Sequence, residues 1–352
     1  MEAWEVLEVG PRKIGRGQPC FIIAEAGVNH NGDLVLARRL VDAAVEAGAD
    51  AVKFQTFRAE RLVTPAAPKA EYQLQATGAG ESQLEMLRRL ELSPEAHREL
   101  NAYCRKHEVL FLSTPFDEGS ADLLDELGVP LFKIGSGEIT NHPFLGYVAR
   151  KRKPIILSTG MSYLAEVDEA VKVIRDAGCP QLALLHCVSC YPAEPEDANL
   201  LAIYTLATAF GTPVGYSDHT LGIEIAVAAV ALGASILEKH FTLDQSLSGP
   251  DHRASLVPPR FAEMVRAVRK VERALGDWQK QPVPAEADVR RMARRSLVAA
   301  CDIAAGTRIE QGMVVAMRPG TGLSPSLLPQ VIGRIAKRHI APAEMLAWEM
   351  LS

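Results

Sequence analysis

Eight short apolar runs, each followed by an amphipathic stretch, recur along most of the chain and set narrow limits on its fold. They are CFIIAEAGVN (20–29), DAVKFQTF (50–57), VLFLSTPF (109–116), PLFKIGSGE (130–138), PIILSTG (154–160), LALLHCV (182–188), PVGYSD (213–218) and SILEKHF (235–241). Helical spacing of apolar residues appears in 33–47, 94–107, 117–127, 164–176, 222–232 and 258–275. Near-continuous apolar strands alternating with helices make a parallel sheet covered by helices, since both faces of such strands are buried. Eight such units fit an α/β fold of the (β/α)8 TIM-barrel type. A doubly wound sheet is the alternative. It usually has fewer strands and a glycine-rich phosphate loop after the first, and EAGVNHNG (25–32) is not G-x-G-x-x-G.

The pattern changes after Gly276. The segment 277–293 is polar and holds two prolines, Pro282 and Pro284, so it reads as a linker. From 294 to 352 the units are short, and CDIAAGTRI resembles RHIAPAEML. This predicts a small β-rich domain behind a barrel domain of residues 1–276.

Composition excludes several partners. The net charge of −5 comes with no basic run, which argues against nucleic acid. The longest apolar stretch, Ile223 to Leu237, is too short to span a bilayer and contains Glu224. The start, MEAWEVLEVG, is acidic and lacks a signal-peptide core, and the six cysteines are scattered. A cytoplasmic protein is expected. CVSC (187–190) has C-x-x-C spacing, but it ends a strand rather than opening a helix, so a redox role is not expected.

In a (β/α)8 barrel the chemistry sits at the C-terminal ends of the strands. Here nearly every run ends in polar or ionisable residues: Glu25, Lys53 and Gln55, Thr114, Lys133 with Ser136 and Glu138, Ser158, Ser189 and Tyr191, Ser217 with His219, and Glu238 with Lys239 and His240. Contact with water explains serines at strand ends. It explains Lys53 and Lys133 poorly, because lysine seldom sits inside an apolar run without a partner. Two lysines with several hydroxyls suit a compact dianion such as a phosphate. Two histidines on neighbouring strands can share one divalent ion.

The ordered segments EAGVNHNG, AVKFQTF, STPFD, KIGSGE, ILSTGM, HCVSCYP, GYSDHT, EKHFT, GPDHRASL and RPGTGLSP resemble the bacterial sialic acid synthase family, which also makes legionaminic and pseudaminic acids. The tail resembles the SAF, or antifreeze-like, domain that ends these enzymes. The resemblance implies condensation of phosphoenolpyruvate with N-acetylmannosamine, giving N-acetylneuraminate and phosphate by C–O cleavage. The alternative acceptor is 2,4-diacetamido-2,4,6-trideoxymannose, giving legionaminic acid, or the precursor of another nonulosonic acid. It also implies manganese or magnesium on His219 and His240, and a domain-swapped homodimer. Lys53, Thr114, Lys133, Ser136, Ser158, Ser189 and Ser217 would hold phosphoenolpyruvate. Glu25, Gln55, Tyr191 and Asp251 would hold the sugar, with Arg318 arriving from the partner chain. Glu25, Glu138, Lys53 and Lys133 would carry the catalysis.

The departures from the neuraminic acid synthases fall on the acceptor side. Gly78 stands in the loop EYQLQATGAGESQLEML where an asparagine contacts the sugar, VSCYP replaces TNxYP, and Arg294 and Arg295 replace an aromatic. Synthases of seven- or eight-carbon keto acids share the chemistry but not the tail or GPDHRASL. A carbohydrate- or ice-binding protein would have no use for Lys53, Lys133, His219 and His240 at strand ends.

Overall fold

The structure is a computed structural model that describes residues 6–179 and 181–352; the first five residues of the acidic start lie outside them. The chain divides into two compact units that meet in sequence at Gly276 and Asp277.

The first unit opens with a hairpin, β1 (Leu7–Val9) and β2 (Arg12–Ile14), which the run pattern does not reveal. The eight expected strands follow: β3 (Phe21–Gly27), β4 (Ala51–Thr56), β5 (Leu110–Pro115), β6 (Phe132–Ile134), β7 (Ile155–Ser158), β8 (Leu182–Cys187), β9 (Val214–Asp218) and β10 (Ile236–His240). They form one parallel sheet in the order β5-β4-β3-β10-β9-β8-β7-β6. The first and last of the eight, β3 and β10, are hydrogen-bonded neighbours, and β5 lies beside β6, so the sheet curls into a TIM-like ring. The helices of this unit are α1 (Leu34–Glu46), α2 (Ala59–Leu62), α3 (Glu71–Thr77), α4 (Gln83–Leu90), α5 (Pro94–Lys106), α6 (Glu118–Glu126), α7 (His142–Ala149), α8 (Leu164–Asp176), α9 (Ala202–Phe210), α10 (Glu224–Ala231) and α11 (Pro258–Leu275). Capping residues legible in sequence start several of them: Asp33 accepts from Val35 N at 2.7 Å, Ser93 from Ala96 N at 3.1 Å and Asp117 from Ser120 N at 2.9 Å.

Side chains alternate across each strand. Outward residues such as Ile22, Val52, Phe111 and Leu157 pack under the helices. Inward residues Phe21, Ile23, Ala51, Leu112, Leu131, Ile156, Leu185 and Ile236 form a dry layer, closed below by Leu7, Val9 and Ile14 of the hairpin. On six of the strands the interior turns polar two residues further along: Glu25 follows Ile23, Lys53 follows Ala51, Thr114 follows Leu112, Lys133 follows Leu131, Ser158 follows Ile156, and Glu238 follows Ile236. On β9 the dry position is Gly215, whose added Cβ would lie 2.4 Å from the Ile236 carbonyl, so no side chain fits there.

The loop after β4 is partly helical. It holds α3 and α4, and Ser82 with Glu85 forms a capping box that starts α4.

The second unit begins with residues read as linker, yet Ala287–Ala293 is helical (α12). Pro284 opens a short 3-10 turn ahead of this helix, where its missing N–H costs nothing. Beyond it, β11 (Ser296–Ala299) pairs antiparallel with β12 (Val314–Met317). The two similar peptides pair with each other: Ile303 and Ile340 exchange backbone hydrogen bonds, at 3.0 and 2.9 Å, over a core of Leu297, Ile309, Val331, Leu346 and Leu351. No helix of the described residues is long and apolar enough to cross a membrane.

Candidate active site

The polar layer opens into a cavity of about 410 Å³ at the C-terminal ends of the strands. Glu25, Lys53, Gln55, Thr114, Lys133, Ser136, Ser158, Ser189, Tyr191, Ser217, His219, His240 and Asp251 all line it. One residue read as a site residue lies elsewhere. Glu138 is outside the lining, because it closes a 3-10 turn and accepts from Asn141 Nδ2 at 2.7 Å. Arg318 belongs to the second unit, where its Nε donates to the Ala293 carbonyl at 3.0 Å.

Four buried charges form the floor. Lys53 Nζ lies 2.7 Å from Glu25 Oε2 and donates to Thr114 Oγ1 at 3.0 Å. Glu238 Oε1 sits between the lysines, 3.8 Å from Lys53 and 3.4 Å from Lys133, and accepts from Ser217 Oγ at 3.1 Å. Glu238 stands among the polar strand-end residues of the sequence but carries no role in the family pattern, although it follows the same two-residue step from the dry layer. Its Oε2 is buried and has no hydrogen-bond partner among the described residues.

Burial and charge sort these groups. Burial pushes the Glu25 carboxyl up to about 7 against the pull of Lys53. Burial also works on Glu238, but the two lysines outweigh it and hold this carboxyl below its usual range. Lys53 stands above its usual range because Glu238 and Glu25 outweigh its desolvation. Lys133 stands below, since desolvation prevails over Glu238. The surroundings thus favour the charged forms of Lys53 and Glu238, shift Lys133 towards its neutral form, and leave Glu25 a carboxyl that changes protonation near neutrality.

Beside this floor, Ser136 Oγ accepts from Gly160 N at 2.9 Å and meets Cys187 Sγ at 3.2 Å. Cys187 is buried, Cys190 is exposed, and both are free thiols. The two histidines do come together, with ring centroids 5.4 Å apart, and Tyr191 stacks on His219 at 4.2 Å. The Val188 carbonyl lies 2.6 Å from His219 Nδ1, so Nδ1 carries the proton and the Nε2 lone pair is free. His240 Nδ1 is buried without a hydrogen-bond partner among the described residues, 3.9 Å from Asp251 Oδ2. Burial lowers both imidazoles below their usual range, which favours the neutral form, the one that ligates metal. Among the described residues no set of three or more His, Cys, Asp or Glu is arranged around a metal position. The two imidazoles thus lie side by side with the Asp251 carboxyl nearby.

The opposite wall comes from α2, α3 and α4. Leu62, Val63, Met86, Leu87 and Leu90 are apolar, and Tyr72, Gln73 and Gln83 are its polar members. Tyr72 stacks on Tyr191 at 5.1 Å, a contact that the linear order of the sequence hides.

Residues 40–280 match the NeuB family and residues 294–352 match the SAF domain. The chain belongs to the NeuB family. Its relatives include the N,N'-diacetyllegionaminic acid synthase of Campylobacter jejuni, 47% identical over 93% of this chain and 98% of that protein. The enzyme of the same name from Legionella pneumophila is 46% identical, covering 97% of each chain. Among solved structures, the N-acetylneuraminic acid synthetase of Leptospira borgpetersenii, in complex with citrate, matches with a TM-score of 0.72 at 37% identity, covering 81% of this chain and 95% of that one. The match to the family takes in Lys53, Lys133, Glu238 and both histidines, while Glu25 precedes it in the chain.

Proposed function

We propose that this nonulosonic acid synthase condenses phosphoenolpyruvate with an open-chain 2,4-diacetamido-2,4,6-trideoxymannose, releasing phosphate and a nine-carbon 2-keto acid. The observation that carries the acceptor is the α2–α4 wall, which contributes no charged side chain to the cavity. A 6-deoxy sugar presents a methyl group that suits Val63, Met86 and Leu90, and its second acetamido group suits the amides of Gln73 and Gln83. A phosphorylated acceptor would need a free cation there. The nearby Lys69 is spent on Thr77 Oγ1 at 2.9 Å, the Gly78 carbonyl at 3.1 Å and Glu81 at 3.3 Å.

The floor suits phosphoenolpyruvate. Lys53 and Lys133 neutralise its phosphate and carboxylate in a water-poor site, where each contact is stronger than in bulk. Ser136, Ser158, Ser189 and Ser217 supply hydroxyl donors. C3 of the enol attacks the acceptor aldehyde carbon, water adds at C2, and the C2–O bond to phosphate breaks. Glu25 takes the proton of the attacking water or returns one to the new alkoxide, a role that a carboxyl near neutrality can fill in both directions. His219 and His240 would hold a divalent ion, manganese or magnesium, which when bound polarises the acceptor aldehyde. Arg318 of a second copy would complete the acceptor side in the swapped homodimer that the resemblance implies.

Phosphate release from phosphoenolpyruvate in the presence of Mn²⁺ is expected only with an N-acyl hexosamine present, and fastest with the 2,4-diacetamido sugar. Higher kcat/KM with N-acetylmannosamine, or with its 6-phosphate, would reverse the acceptor assignment. No release with any of the three would remove the synthase reading.

Gly160 tests the cradle separately. A Cβ there would lie 2.5 Å from Ser189 Oγ, 2.9 Å from Cys187 Sγ and 3.0 Å from Ser136 Oγ. Overpacking of this kind costs about 1–3 kcal/mol. Gly160→Ala should therefore raise KM for phosphoenolpyruvate by about ten-fold or more, with acceptor KM little changed. Steady-state kinetics in both substrates checks the split.

A further inference from the structure

The outer face of β9 and β10 carries a charge pair that the chemistry above does not use. Asp218 and Lys239 are direct register partners, one position along from the inward pair Ser217 and Glu238. Both side chains are fully buried, and Lys239 Nζ lies 2.7 Å from Asp218 Oδ2. The surroundings are apolar, with Tyr216, Leu237 and Phe241 among the buried core residues of this layer. A buried ion pair in such a place is a poor source of stability, because apolar side chains of similar volume commonly do as well or better. The pair has to be explained by what it fixes.

It fixes one short turn. Lys239 Nζ also donates to the carbonyl of Thr220, while Asp218 Oδ1 accepts from Thr220 N at 2.9 Å and from Thr220 Oγ1 at 2.8 Å. His219 is thus the middle residue of three whose two flanks are tied to a single ammonium group. The residue after Lys239 on β10 is His240. One side chain therefore sets the backbone at His219 against the strand that presents His240. Asp218 caps no helix, since α10 starts after Ile223.

We propose that the Asp218–Lys239 pair is a positioning device that sets the spacing of His219 and His240 for a divalent ion. It rests on the reading of these histidines as the metal ligands. A lysine and an aspartate on the outer face act here through the backbone, while the Val188 carbonyl sets the His219 ring itself. Partners of this outer kind typically change metal affinity by about ten- to a hundred-fold.

The test is Mn²⁺ binding to the full-length, metal-stripped protein, read from the electron paramagnetic resonance signal of free Mn²⁺. Wild type, His219→Ala, Lys239→Met and Thr220→Val are compared, with circular dichroism as a control for folding. His219→Ala should lose the site. Lys239→Met should weaken Mn²⁺ binding by about ten-fold or more, and Thr220→Val, which keeps both charges and nearly the same shape, by about three-fold or more. KM for phosphoenolpyruvate at saturating Mn²⁺ should stay near wild type in Thr220→Val. If His219→Ala binds Mn²⁺ as wild type does, the metal assignment fails and takes the inference with it. If His219→Ala loses the ion while folded Lys239→Met and Thr220→Val bind within about two-fold of wild type, the positioning role alone is overturned. Should Lys239→Met not fold, Thr220→Val decides on the same criterion.

Discussion

Lys53→Met should reduce turnover by roughly a thousand-fold or more, a larger loss than removal of one hydrogen-bond donor usually brings. Three contacts go at once. Lys53 is 2.7 Å from Glu25, 3.0 Å from Thr114 and 3.8 Å from Glu238, and it is buried with all of them. Its loss removes a positive charge from the proposed phosphoenolpyruvate cradle. It also leaves two buried carboxyls to share Lys133, which is 3.4 Å from Glu238. Glu25, already raised to about 7 by burial, then loses the cation that pulls it down and rises further. The folded variant therefore holds a proton that the unfolded chain releases near its ordinary value of 4.5. Its stability should fall as pH rises from that value to the raised one, so the variant is weakest relative to wild type in alkaline buffer. Phosphate release and thermal unfolding at pH 6 and pH 8 measure both effects. Turnover within about ten-fold of wild type would take Lys53 out of the cradle.

Much of this floor was legible in the sequence because a barrel strand repeats every two residues. Once the dry layer is read at Ile23, Ala51, Leu112, Leu131, Ile156 and Ile236, the next inward residue must face the cavity. The same step places Glu238 in the cavity floor, where its contacts with both lysines depend on the barrel's closure. Lys239 shows the limit of the method. A lysine in SILEKHF reads as another cavity group, but alternation turns it outward to a partner in a different run, and only the register of β9 against β10 identifies Asp218. Glu138 fails for another reason. Strand β6 ends at Ile134, so the residues after it follow a 3-10 turn and no longer alternate. The stacking of Tyr72 on Tyr191 joins residues from two different loops, and no local periodicity encodes that. The capping box of Ser82 and Glu85, by contrast, is written in the sequence and marks the start of α4.

Glu25→Gln is expected to remove the ascending limb of the pH profile and to lower the plateau of kcat/KM by about a hundred-fold to ten-thousand-fold. The wild-type limb should be centred near 7, where burial places the Glu25 carboxyl. In the proposed mechanism the attacking water gives up its proton to the carboxylate form, so activity should rise with pH there. The same group leaves a signature in stability that does not depend on turnover. Its folded-state value lies above the ordinary 4.5, so between the two the native protein binds more protons than the unfolded chain. Stability from this group is therefore greatest below about 4.5 and declines as pH rises towards about 7. Glutamine cannot titrate, and the decline should flatten in the variant. A kinetic limb that persists in Glu25→Gln would assign the proton to another group. A limb that vanishes together with the slope in stability ties both to one buried carboxyl, held 2.7 Å from the lysine that would grip the phosphoenolpyruvate.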